Sequence, residues 1–135
     1  MTIEIGQSAT RTLEVTPEIV EAYAQITGDR NPLHFDEEFV GRTRFEVLIA
    51  QGGIATGMLH ALVAMDLPGP GSVFLKQEWT FPAPARIGET LTATGTVESW
   101  RSNRAMGVMS FVVTNDRGET VLEGDATVMQ VTPSE

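Results

Sequence analysis

The sequence predicts an α+β domain, a curved antiparallel sheet of about five strands wrapped round one long central helix. Three observations predict it. From Ser72 onward the chain is a series of runs rich in β-branched and aromatic residues, parted by turn-forming clusters such as PAPARIGE and DRGE. Residues 50–66, AQGGIATGMLHALVAMD, are apolar or small on every side, the pattern of a helix buried all round. Leu91, Ala93, Gly95 and Val97 alternate with Thr92, Thr94, Thr96 and Glu98, the period of a sheet with one covered face. A chain of 135 residues suits one domain, expected to run over residues 1–135. Such a domain buries about two thirds of its unfolded surface, a modest core that favours association between copies.

In chain order, the first element is a strand near Arg11–Val15. The stretch TPEIVEAYAQITGD then reads as a helix with both ends written in: Thr16 caps it, Pro17 opens it and Gly28 closes it. Ile19, Val20, Tyr23 and Ile26 fall at helical spacing and are expected to face the core. The next stretch, TGDRNPLHFD, crowds Asp29, Asn31, His34 and Asp36 around a proline. Gly28 and Pro32 predict a loop there, stiffened by Pro32, with Asn31 bonding its own backbone. Asp36 is expected to cap a second short helix through the amides of Glu38 and Phe39. The apolar helix follows, glycine-rich at its start (Gly52, Gly53, Gly57), which lets other backbone or a ligand come close. LPGPG stops it, and four strands complete the chain: SVFLKQEWTF, TLTATGTVESW, AMGVMSFVVTND and ETVLEGDATVMQV.

Composition removes several classes of function. Eighteen carboxylates against nine basic residues leave a net charge of −9, which repels a phosphate backbone, so no nucleic-acid partner is expected. The absence of cysteine excludes disulfides, thiolate zinc sites and cysteine nucleophiles. The N-terminus has no apolar signal region and no apolar run approaches the ~20 residues of a membrane span, so a cytoplasmic protein with no membrane partner is expected. His34, Asp36 and His60 are metal-ligand types, but the two histidines lie on separate elements with no third strong ligand, and no metal is expected.

The segment YAQITGDRNPLHFDEEF, the helix containing GML, LPGPGSVFL and then FPAPARIGETLTATGTV resemble, in that order, the MaoC-like, (R)-specific enoyl-CoA hydratase family. The resemblance covers roughly residues 10–131, and its most specific part is D-x-N-P-x-H with IGET downstream. It implies the hotdog fold and an acyl-CoA or carrier-protein thioester as substrate. It also implies that Asp29 and His34 hold the water added across a trans-2-enoyl thioester, while the Gly52 N–H meets the thioester oxygen. Asn31, Gln51, Gly53 and His60 are expected further along the substrate. Two positions depart from the family: Gln51 stands where many members carry His, and His60 where members often have a small or hydroxyl residue.

The residue chemistry agrees with that implication. Adding water to an α,β-unsaturated thioester needs a base for the water, an acid for the α-carbon and a donor for the charge building on the thioester oxygen. A carboxylate and an imidazole around one water supply the first two, and a glycine-rich helix N-terminus the third. No cofactor is required, since the thioester carbonyl is the electron sink. Three other functions compete: a hydratase of a branched, dicarboxylic or carrier-bound acyl group, a non-catalytic acyl-thioester-binding subunit, and a thioesterase. A thioesterase would use a carboxylate on the central helix, where only Asp66 stands, at its very end. A homodimer is expected, because one such sheet leaves an edge and apolar surface uncovered. Arg42, Arg44, Arg86, Arg101 and Arg104 are candidates to meet CoA phosphates.

Overall fold

The computed structural model describes residues 2–133. Nine elements follow in order: β1 (Ser8–Glu14), α1 (Pro17–Thr27), α2 (Pro32–Phe35), α3 (Glu37–Gly41), α4 (Gly52–Met65), β2 (Ser72–Thr80), β3 (Thr90–Arg101), β4 (Met106–Thr114) and β5 (Thr120–Gln130). The five strands form one antiparallel sheet in the order β1-β3-β4-β5-β2, so β1 and β2 are its edges. The first strand begins at Ser8 and ends before Val15, slightly earlier than its sequence signal.

The sheet wraps α4. In β3, Leu91, Ala93, Gly95 and Val97 point inward as their alternation requires, and β4 buries Gly107, Met109, Phe111 and Val113 in the same rhythm. These meet Ile54, Ala55, Met58, Leu59, Leu62 and Val63 of α4. Close approach rests on Gly95, where a Cβ would lie 2.7 Å from the Phe111 ring and 3.0 Å from Leu62 Cδ2. Among the described residues no helix is long and apolar enough to cross a membrane.

Three expectations need correction. The central helix is not buried all round: Gly52, Gly57, His60 and Met65 are exposed. Helix α1 has the caps its sequence announces, with the Ile19 N–H donating to Thr16 Oγ1 at 3.2 Å and Gly28 left-handed at φ +81°. Its inward face, however, is built on Val20 and Ala24, and Ile26 is 84% exposed. At 100° per residue Ile26 is about 200° round from Ala24, so the smaller and less conspicuous alanine takes the inner place. Finally, residues 32–35 are a single helical turn rather than a loop, because proline fits the first position of a helix and Asn31 caps it.

Candidate active site

Every predicted catalytic residue lies near the start of α4, and each is brought there by identifiable local bonds. Gly28 ends α1, its N–H donating to the Ala24 carbonyl at 2.8 Å. In the last turn Thr27 Oγ1 donates to the Tyr23 carbonyl at 2.8 Å and accepts from the Asp29 N–H at 3.1 Å. Asp29 is thereby attached to the end of α1. Its Oδ1 accepts from the Asn31 N–H at 3.3 Å, and Asn31 Oδ1 accepts from the Leu33 N–H at 3.1 Å. Asn31 is therefore the cap of α2, an exposed structural residue.

His34 sits in that single turn and is only 7% exposed. Its Nδ1 lies 2.6 Å from the Ile49 carbonyl, which can only accept, so Nδ1 carries a proton, and in the neutral ring the lone pair is on Nε2. Nε2 faces Asp29 Oδ1 at 3.8 Å, and the Asp29 side chain is 41% exposed. That separation exceeds a direct hydrogen bond but lets both atoms reach one small molecule lying to the side of the line between them. Asp36 belongs to the next element: its Oδ1 accepts from the Phe39 N–H at 3.0 Å and caps α3, without the expected second bond to Glu38.

The chain then returns to the site through residues 48–51. The Ile49 N–H donates to the Leu33 carbonyl at 3.1 Å, tying α2 to this stretch. The Ala50 N–H donates to the Ala85 carbonyl at 2.8 Å, tying the same stretch to the PAPARIGE segment. Gly52 is the first residue of α4, so its N–H has no intrahelical acceptor. Gln51 is 2% exposed and donates through Nε2 to the Val20 carbonyl of α1 at 3.1 Å. Gly53 is required by packing, since a Cβ there would lie 1.7 Å from the Tyr23 hydroxyl. His60 lies away from the pair, exposed on α4, edge-on to Phe74 at 4.6 Å, and not among buried neighbours as a core histidine would be.

A cleft of about 470 Å³ opens at Gly52. Ala55, Leu91 and Val121 floor it, Phe45 and Phe81 are its aromatic walls, and Arg44, Arg86 and Arg117 are its cations. Asp29 and His34 stand beside this cleft and do not line it. Of the arginines singled out from sequence, Arg44 and Arg86 reach it, while Arg42 pairs with Glu38 on α3, Arg101 ends β3 and Arg104 belongs to the β3–β4 turn. Arg117 was not among them. It sits in the β4–β5 turn, bonded to the buried Glu89 and to Glu119, and the Glu89 bond raises its pKa above the ordinary arginine value. Glu89 also accepts from the Arg86 N–H at 2.6 Å, so one carboxylate shapes the turn and orients the guanidinium. Its partner lies 28 residues away, and no local pattern announces that.

A central helix wrapped by a five-stranded antiparallel sheet places the molecule among the hotdog-fold proteins. The MaoC like domain model matches residues 2–120, and the chain belongs to that family. It is 35% identical over 127 residues to an (R)-specific enoyl-CoA hydratase of Rhodospirillum rubrum, covering 94% of this chain and 88% of that protein. It is also 35% identical to a 3-hydroxybutyryl-CoA dehydratase of Methylorubrum extorquens, covering 93% of this chain and 80% of the relative. Its structure is similar to that of the (R)-hydratase from A. caviae involved in PHA biosynthesis, with a TM-score of 0.91, 29% identity, and 96% and 98% of the two chains covered.

Proposed function

We propose that this protein is a hydro-lyase that reversibly adds water to a trans-2-enoyl-CoA, giving an (R)-3-hydroxyacyl-CoA. The observation that carries the reading is the His34 ring, held by Ile49 so that its free Nε2 faces Asp29 across 3.8 Å. Asp29 and His34 hold one water; a proton leaves it to this pair as its oxygen bonds to the β-carbon, and the α-carbon takes a proton in return. Charge passing to the thioester oxygen meets the Gly52 N–H at the positive end of α4. The (R)-specific enoyl-CoA hydratase and 3-hydroxybutyryl-CoA dehydratase relatives support the substrate class, and the first of them the stereochemistry.

The cleft at Gly52 takes the carrier arm of the thioester, with Arg44 and Arg86 placed to meet CoA phosphates. The acting form is a homodimer: β2 is an edge strand exposing Val73 and Leu75, and α4 exposes Met65. Light scattering at micromolar concentration checks this, and an active monomer overturns it. A panel of enoyl-CoA substrates, followed by loss of absorbance of the conjugated thioester, tests the activity. Hydration of at least one chain length to the R product is expected. No turnover on any CoA or carrier-bound enoyl thioester would leave the non-catalytic binding subunit as the better reading.

A further inference from the structure

We infer that Gln51 is a positioning residue for Asp29: its amide fixes α1 against the start of α4 and so sets the distance between Asp29 and His34. The inference rests on the hydratase reading above. His34 has its own tie to the lead-in of α4, through the Ile49 carbonyl. Asp29 has no such tie. Among the described residues its hydrogen bonds are local, to Thr27 and Asn31, and Thr27 is in turn bonded to the Tyr23 carbonyl. The carboxylate therefore goes wherever the end of α1 goes.

Helix α1 is joined to residues 49–65 by one hydrogen bond among the described residues, Gln51 Nε2–H to the Val20 carbonyl at 3.1 Å. The Tyr23 hydroxyl resting on Gly53 marks the same contact. The two arms of the site thus converge on neighbouring residues, His34 on Ile49 and Asp29, through α1, on Gln51. With the Gln51 bond removed, α1 is held against the core by the apolar packing of Val20 and Tyr23, which fixes its position less sharply than a hydrogen bond, while His34 keeps its own tie.

A second observation separates positioning from stability. Among the described residues Gln51 Oε1 is buried without a hydrogen-bond partner, a state that costs free energy. A residue kept for stability alone would be apolar here. Leucine in its place removes the orphaned oxygen, and the Val20 carbonyl keeps its partner within α1.

The test is Gln51→Leu, measured for kcat, KM and Tm, alone and combined with Asp29→Asn. Gln51→Leu is expected to lower kcat about ten- to hundredfold, the size of effect produced by misplacing a reacting group by about an ångström. KM should stay within about twofold and Tm should hold or rise, since uniform binding and the core are untouched. In the Asp29→Asn background the same change should cost less than about threefold, because Gln51 acts through the group already removed. Gln51→His, which keeps an N–H donor, should restore most of the turnover. Gln51→Asn, one methylene shorter, should lose it as leucine does, and serves if the leucine variant is poorly soluble. Unchanged kcat in Gln51→Leu, or an equal loss with and without Asp29, overturns the inference. An Asp29→Asn enzyme as fast as the unaltered chain would instead overturn the hydratase reading itself.

Discussion

Strands β3, β4 and β5 pair over long antiparallel registers and bury alternate residues, whereas residues 27–53 expose most of their side chains and are held by a few polar bonds. In the sheet each residue's place is determined many times over, by ladder bonds on both sides and by the core beneath. In the site segment a few bonds do all the holding: Asp29 depends on Thr27 and Asn31, His34 on Ile49, and α2 on Asn31 and Ile49. Redundancy gives stability and a few bonds give geometry. Substitutions in the two regions should therefore register in different measurements.

The largest effect is expected in turnover. Asp29→Asn and His34→Ala should each lower kcat roughly 10²–10⁴-fold, the worth of general acid–base catalysis, with Tm little changed. On the proposal that both act on one water, the double variant should lose far less than the product of the two. Multiplicative losses would show that they act separately. Next comes Gly52→Pro, which fits the first helical position but removes the N–H, at an expected 10²–10³-fold in kcat. The Phe81 ring, 3.3 Å from the Cβ position, must give slightly, so a Gly52→Ala control that keeps the N–H isolates the donor.

The sheet should answer in the opposite currency. Leu122→Ala, at a fully buried position of β5, should cost about 2–5 kcal/mol of stability and leave kcat of the folded enzyme near normal. A large loss of kcat at unchanged stability would dissolve the division between the regions. Gly28→Ala lies at their boundary. Its Cβ meets nothing within 4 Å, so the cost is conformational, about 1–2 kcal/mol for a side chain at φ +81°, read as a lower denaturation midpoint.

The same contrast explains what could be read from sequence. Strand alternation is a repeated signal, and all four C-terminal strands stand where their residues place them. The caps of α1 were equally plain in Thr16, Pro17 and Gly28, since each acts on its own neighbours. The single turn at Pro32 was not, because the same proline that breaks a helix interior starts a new one. Arg117 and the Gln51 bond to Val20 depend on residues 28 and 31 positions away, and distance along the chain hides such pairs.

His60 gives the smallest expected effect and the sharpest check on where the site ends. It is exposed on α4, yet it is not free. The Trp79 Nε1–H donates to Gln77 Oε1 at 2.9 Å, which fixes the amide so that Gln77 Nε2 points at His60 Nε2, 3.3 Å away. An amide N–H can only donate, so Nε2 of His60 accepts and the ring is held in one tautomer against Phe74. These contacts join α4 to edge strand β2, which makes His60 part of the redundant region although its residue type suggests chemistry. His60→Ala should therefore cost about 0.5–1.5 kcal/mol, the worth of an aromatic pair, and leave the ratio of kcat/KM between short and long enoyl chains unchanged. A side chain at the far end of the acyl group would behave differently, shifting that ratio about tenfold at little cost in stability, since a few methylenes in a pocket are worth about 1–3 kcal/mol. That result would extend the site along α4 and move His60 into the substrate's path.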